Sequence, residues 1–374
     1  MISKASGVRE YNPPSPFQAP GGLGGIRRLG RGRKGAISTL VARSRYGRGM
    51  NFMRVRMRFL GLVCLASVYS WTAQASARTS GVGLSTSACG RQCLIGFADR
   101  YLDSLVQHDP SGLPLVAKYK FTENGQRLKL GEGLWYGASD IAYRQYIADP
   151  ARGAVVSYVA LHENDLPTLL VVRLKVVNRK ISEIETVVVG FDDSLDARVA
   201  TLNATKPLMG SILPEAERSS RTKLESVATL YFDAMQTHPP SGPSVPFAPD
   251  CDRTEDGIHV TNSQGASRDR PAGCAAEFAS QFLYPFGAVR DRRFYISDVE
   301  RGQVFAIVML DCPGRLKSVV YGGKTIELSP TMRRPRTVIV PVLFKVVQGQ
   351  IREIEGFPLH GVFCNLPYKT PSGW

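Results

Sequence analysis

The chain of 374 residues carries one set of blocks twice in the same order, and this repeat constrains its fold more than any other feature. Leu94, Phe97, Tyr101 and Leu105 fall at i, i+3, i+7 and i+11, the apolar stripe of an amphipathic helix. Leu224, Val227, Tyr231 and Met235 repeat the stripe at the same spacing. Both stripes close alike, on His108-Asp109-Pro110-Ser111-Gly112 and His238-Pro239-Pro240-Ser241-Gly242. Thr122-Glu123-Asn124-Gly125 is echoed by Thr254-Glu255-Asp256-Gly257, and an extended stretch meeting Asn-Gly or Asp-Gly predicts a hairpin. Arg144, Tyr146, Ile147, Asp149, Arg152 and Gly153 match Arg293, Tyr295, Ile296, Asp298, Arg301 and Gly302. Lys175-Val176-Val177, Ile181, Glu183, Ile184 and Glu185 match Lys345-Val346-Val347, Ile351, Glu353, Ile354 and Glu355. The offset between copies grows from 130 to 170 residues, so the second copy holds insertions, the last between Cys312 and Thr337.

Each copy reads as a helix, a hairpin, an irregular or helical segment, then three strands in a meander rich in Val and Ile. That predicts an α+β fold of two units, each with one curved antiparallel sheet wrapped around a long N-terminal helix. The expected boundaries are 78–190 for the first unit and 223–374 for the second, with residues 312–337 inserted. Residues 191–222, polar with scattered Pro and Gly, read as the linker.

A net charge of +15 would suggest nucleic acid, but its distribution argues otherwise. Residues 1–58 hold thirteen Lys or Arg against one acid, which leaves +3 for everything beyond residue 77. Arg54, Arg56 and Arg58 precede the apolar run 59–73, and Ala73-Gln74-Ala75 and Ala75-Ser76-Ala77 are small-x-small cleavage sites. This is the anatomy of a secretory signal peptide over residues 50–77, with Met50, Met53 or Met57 as its start. Residues 1–49 then read as a disordered leader or a mis-called upstream extension. The mature protein is expected to be secreted or periplasmic, with no nucleic acid and no membrane among its partners. Gly30, Gly32 and Gly35 fit G-x-G-x-x-G, but no strand precedes them, so no dinucleotide site is read there.

Cys64 would leave with the signal peptide, and six cysteines remain: Cys89, Cys93, Cys251, Cys274, Cys312 and Cys364. Cys251 and Cys274 flank a Gly-, Asp- and Asn-rich loop and are the expected disulfide; the pairing of the other four is open. Cys89-x-x-x-Cys93 lacks a second ligand pair, so no metal is expected.

The block order resembles the nuclear transport factor 2-like fold, which includes ketosteroid isomerase, scytalone dehydratase and the SnoaL-like cyclases. The run 348–355, Gln-Gly-Gln-Ile-Arg-Glu-Ile-Glu, is similar to that fold's last strand. The tandem arrangement more closely resembles an uncharacterised family of secreted fungal and bacterial two-domain proteins. That likeness is carried by Asp250-Cys251-x-Arg253-x-Glu255-Asp256-Gly257, Cys274 and Arg292-Arg293-x-Tyr295-x-x-Asp298. The resemblance implies a cone-shaped small-molecule pocket in each copy and a pseudo-dimer of the two, but it assigns no reaction.

Enzymes of this fold hold a carboxylate in an apolar cavity, where desolvation raises its pKa, beside a group that polarises the substrate oxygen. Glu123 and Glu255 are the candidate bases, with Tyr119 near the first and Arg253 near the second. Trp135, Tyr143, Tyr146, His162 and Arg173 are candidates to line the first cone, and Asp291, Arg293 and Tyr295 the second. Each has a structural alternative. A Glu beside a tight turn accepts backbone hydrogen bonds, Asp149 and Asp298 form turns, and His108 and His238 cap helices. Glu183/Glu185 and Glu353/Glu355 alternate on a solvated or inter-copy face. Arg173 aligns with Leu343 and is either an anion binder or a salt-bridged strand residue. The insertion, with six basic residues against Glu327, reads as a solvated loop or an arm over a pocket mouth. No G-x-S-x-G, H-E-x-x-H, Walker A or calcium loop occurs, so no cofactor is expected. Two function classes stand: a cofactor-free isomerase, lyase, dehydratase or cyclase, and a non-catalytic ligand-binding or scaffold protein. The partner is a small molecule, and the chain is a monomer with an internal pseudo-dimer or a homo-oligomer.

Overall fold

The first apolar stripe forms helix α1, Arg91–Val106, which lays Leu94, Ala98, Tyr101, Leu102 and Leu105 against a sheet. The computed structural model describes residues 89–190, 202, 205–237, 244–262, 272–280, 285–321, 324–330, 333–356 and 365–374. The leader, the signal peptide, Cys64, Cys364 and His238 lie outside the described residues.

Strands β1 (Leu115–Glu123) and β2 (Gln126–Arg127) form the first hairpin. Its turn takes Asn124 and Gly125 to φ of 47° and 76°, the left-handed region that selects Asn-Gly there. A single 3₁₀ turn, Gly133–Tyr136, leads to β3 (Ala138–Asp149), β4 (Ala154–Glu163), β5 (Leu166–Val177) and β6 (Lys180–Gly190). The sheet order is β2-β1-β6-β5-β4-β3.

This corrects the expected all-antiparallel sheet built on a three-strand meander. The meander has four strands, and β1 joins β6 in parallel. The physical reason is directional. A fourth strand reverses the direction in which the meander ends, so its last strand runs with β1 instead of against it.

The second copy repeats the plan. Helix α2 (Arg221–Gln236) starts at Ser220, whose hydroxyl accepts from the Lys223 amide at 3.2 Å, an N-cap. Then come β7 (Phe247–Glu255), β8 (Ile258–His259), the short helix α3 (Cys274–Ala279), β9 (Ala288–Asp298) and β10 (Gln303–Cys312). The insertion forms a two-stranded sheet of its own, β11 (Ser318–Tyr321) and β12 (Lys324–Glu327). Strands β13 (Arg336–Val347), β14 (Gln350–Gly356) and β15 (Asn365–Leu366) complete the order β8-β7-β14-β13-β10-β9, with β15 on β13 and β7 parallel to β14.

Strand β10 reads as a continuous apolar run over residues 304–310 and β4 as one broken only by Ser157, the pattern of strands covered on both faces. One face of the first sheet packs on α1 through Val155, Val159, Leu170 and Val172. Its other face joins the core of the second copy through Val156, Tyr158, Leu169 and Val187.

Ion pairs across this boundary are reciprocal. Arg91, the first residue of α1, pairs with Asp298 at 2.8 Å; Arg221, the first of α2, pairs with Asp149 at 2.5 Å. Asp149 and Asp298 also accept the amides of Arg152 and Arg301 as turn formers do, so each aspartate does both. The segment leading to α2 is not a free tether over its described residues. Leu202, Met209 and Leu213 are buried, and the Lys345 ammonium donates to the Ser211 carbonyl at 2.8 Å.

Candidate functional site

In the first copy Glu123 ends β1 with its carboxylate turned towards the 3₁₀ turn. It accepts the Leu134 amide at 3.1 Å and the Thr186 hydroxyl at 3.3 Å, and no ion pair to it occurs among the described residues. Burial pushes its pKa up to about 7 against those two hydrogen bonds, and the Glu163 carboxylate adds to the rise. Tyr101 lies close enough for the Glu123 charge to raise its own pKa, and stacks edge-on to Trp135 at 5.4 Å between ring centres.

Gly133 makes room for this carboxylate. Its φ is +72°, and a Cβ there would stand 2.2 Å from Oε1 of Glu123. Gly133→Ala is expected to cost about 1–3 kcal/mol in urea unfolding and to move the Glu123 pKa. An unchanged urea midpoint would show that the carboxylate does not sit in this cradle.

The equivalent position in the second copy is built differently. Where the first copy has the apolar Phe121 two residues before its Glu, the second has Arg253 two residues before Glu255. Arg253 pairs with Glu255 and, at 2.9 Å, with Glu277 on α3; all three are 5% exposed or less. Burial alone would lower the Arg253 pKa, but the two carboxylates more than reverse that. Glu277 is pushed up by burial and by Glu255, with Arg253 opposing. Cys251 and Cys274 are joined by a disulfide that ties α3 to β7, which holds Glu277 against Arg253. Arg253 also lines a narrow cavity beneath α2, walled by Tyr231, Phe232, Met235, Phe286 and Val342. The cavity measures about 20 Å³, room for about one water.

Arg173, Arg293 and Tyr295 come together, but between the copies and not between the helix and sheet of either one. Glu185, with no exposed surface, accepts Arg293 at 2.6 Å and the Tyr295 hydroxyl at 2.7 Å. Arg173 pairs with Glu183 at 2.5 Å and lies 3.9 Å over the Tyr295 ring. The salt-bridged alternative for Arg173 therefore describes it. Its counterpart Leu343 offers no charge, and the matching carboxylate, Glu355, accepts a Gln145 amide at 3.3 Å as its one hydrogen bond among the described residues. Burial lifts Glu355 to about 7, with Lys206 and Gln145 opposing and Glu353 adding.

The remaining candidates are held elsewhere. Tyr146 donates to Asp99 on α1, its own pKa pushed up to about 12 by burial. Tyr119 is half-buried at the edge of the first core, and the Trp135 carbonyl is met by His108 at 2.6 Å. Sequence reading missed Glu277, yet its place three residues after Cys274 put it within reach of Arg253 once the disulfide was expected. Gln145 carries no local signal, whereas Glu355 lies on the inter-copy face that its alternation with Glu353 offered. A second disulfide joins Cys89 and Cys93, and Cys312 is a free, buried thiol. Among the described residues no group of three or more His, Cys, Asp or Glu is placed to hold a metal, and no helix is long and apolar enough to cross a membrane.

Comparison with known proteins finds two stretches, residues 88–188 and 217–357, matching the family described as "Domain of unknown function (DUF8021)". No curated protein matches. A de novo designed protein with a curved β-sheet is similar at 17% identity, over 30% of this chain and 96% of that one, with a TM-score of 0.24. A steroid delta-isomerase from Pseudomonas aeruginosa is similar at 15% identity, over 25% of this chain and 78% of that one, with a TM-score of 0.21.

Proposed function

We propose that this chain, which belongs to the DUF8021 family of unknown function, is an exported protein that moves a proton on a small molecule at Glu123. The reading extends to the architecture. Each sheet and its helix form a cone of the nuclear transport factor 2-like kind, over residues 78–190 and 223–374, and the two cones pack as an internal pseudo-dimer. The observation that carries the function is Glu123 itself. It is a largely buried carboxylate with no cationic partner among the described residues, and its pKa of about 7 suits a general base at neutral pH. Its counterpart Glu255 is neutralised by Arg253, so any activity is confined to the first copy. No cofactor enters this chemistry: Glu123 takes a proton from carbon and returns it, or leaves an eliminated product, as in an isomerase, lyase, dehydratase or cyclase.

The test uses nitrobenzisoxazole, whose ring C–H loses a proton to a base while its N–O bond breaks to give a coloured cyanophenolate. Turnover is expected to rise with pH around a midpoint near 7. Glu123→Gln is expected to lower it by about 10²–10⁴-fold, and Glu255→Gln to leave the first copy's contribution in place. Equal rates for Glu123→Gln and the parent would end the proposal.

One observation favours the non-catalytic class instead. Most other pocket candidates are engaged within the protein, and the cavity beside Arg253 has room for about one water. On that reading the chain is a binding or scaffold protein, and nitrobenzisoxazole turnover would match that of free carboxylate.

A further inference from the structure

The largest difference between the copies lies between equivalent strands. Asn164 and Asp165 alone join β4 to β5, whereas residues 313–335 join β10 to β13 and form the β11–β12 sheet. A two-residue turn closes this hairpin in the first copy, so the excursion is not needed to complete the fold. Its arms are pinned together. Gly314, at φ +69°, lies so close to the other arm that a Cβ would stand 2.2 Å from the Arg333 carbonyl oxygen. The Leu328 amide donates to the Lys317 carbonyl at 2.7 Å. This brings Arg315 of one arm beside Arg333 and Arg334 of the other and sets Lys317 across from Leu328, while Lys324 opens β12.

All five cations are exposed, and none has an acidic partner among the described residues. Leu316, between Arg315 and Lys317, is 38% exposed, and Val320 on β11 is 37% exposed. Residues 312–337 hold six basic side chains against one acid, a net +5; with +3 beyond residue 77, everything else there carries −2. The cationic surplus beyond residue 77 is thus concentrated in this one insertion, a basic platform.

We infer that this platform docks the protein on an anionic lipid surface. Lys and Arg beside such a surface strengthen binding by about 5-fold each. Leu316 adds an apolar contact at headgroup depth, which an acidic polysaccharide would not use. The remainder of the chain beyond residue 77 is net negative and is repelled, which favours docking by this one face.

Amide hydrogen exchange of the full chain, with vesicles of phosphatidylcholine and phosphatidylglycerol in equal parts, resolves the contact by segment. Binding through the basic residues 1–58 is thereby seen separately. Slowed exchange is expected at 315–321 and 333–336 with the mixed vesicles and not with phosphatidylcholine alone. It is expected to vanish when Arg315→Gln, Lys317→Gln, Arg333→Gln and Arg334→Gln are combined, and to weaken in Leu316→Ser. The four replaced side chains are exposed, so the thermal midpoint of the combined variant should equal the parent's and certify its fold. Protection confined to residues 1–58, or surviving the combined variant, overturns the inference. So does equal protection by dextran sulfate with no effect of Leu316→Ser, which would assign the platform to a soluble polyanion.

Discussion

Replacing Arg253 by Met is expected to cost about 3–5 kcal/mol of folding stability, more than the strained Gly133→Ala. The guanidinium stands between Glu255 and Glu277, and neither carboxylate is more than 2% exposed. Removing the cation leaves two acids in an apolar core, where an unpaired charge is expensive. Both would take up protons instead, so the loss should be steepest well above neutral pH and smaller in acid. The disulfide from Cys251 to Cys274 keeps α3 on β7, so Glu277 cannot simply swing into water. Combining Arg253→Met with Glu255→Leu and Glu277→Leu should restore most of the stability, because apolar groups of similar size often replace buried ion pairs at no net cost. Urea unfolding of the parent, the single variant and the triple variant decides the matter. A loss under about 1 kcal/mol for Arg253→Met would mean that water reaches the triad.

The elements of this fold were legible where the signal is local. A stripe at helical spacing gives α1 and α2, and Asn124-Gly125 and Asp256-Gly257 give the two hairpin turns. The parallel pairing of β1 with β6 was not legible, since it depends on how many strands intervene and not on any spacing within them. Site chemistry divides in the same way. The mismatch of Arg173 with Leu343 marked an asymmetry in the sequence, but the Tyr295 ring beneath Arg173 belongs to the other copy. Asp149 and Asp298 show the limit most directly. Each has the Asp-x-x-Arg-Gly spacing of a turn and forms that turn, while its remaining oxygen reaches an arginine of the opposite copy. A local motif and a long-range ion pair occupy one residue, and only the first is written in its neighbours.

Glu355→Gln is expected to stabilise the protein at about pH 8 and to flatten the dependence of its stability on pH. Glu355 is 5% exposed at the boundary between the copies. Among the described residues the groups around it are Gln145, Tyr143 and Tyr158 from the first copy, with Glu353 and Lys206. Its pKa is about 7 when folded against the ordinary 4.5. A carboxyl raised on folding binds more protons in the native state, so stability is greatest at or below 4.5 and is lost as pH rises through 7. The charge penalty above that range is on the order of 3 kcal/mol. Glu123, raised to about 7, works in the same direction, as do Glu163, Glu277 and Glu353, each pushed up by burial. The acids held low by partners, Asp149 and Asp311, act only below the ordinary 3.8, outside this window. Lys345, brought down to about 8 by burial, opposes this trend only at the alkaline edge of the window. Thermal midpoints should therefore climb as pH falls from about 8 to about 5, and the climb should be smaller in Glu355→Gln. If the variant's curve runs parallel to the parent's, Glu355 is charged in the folded protein and a cation or water has reached it. Gln keeps the acceptor for Gln145 and removes only the charge, so the difference reports the titration itself and not a lost contact between the copies.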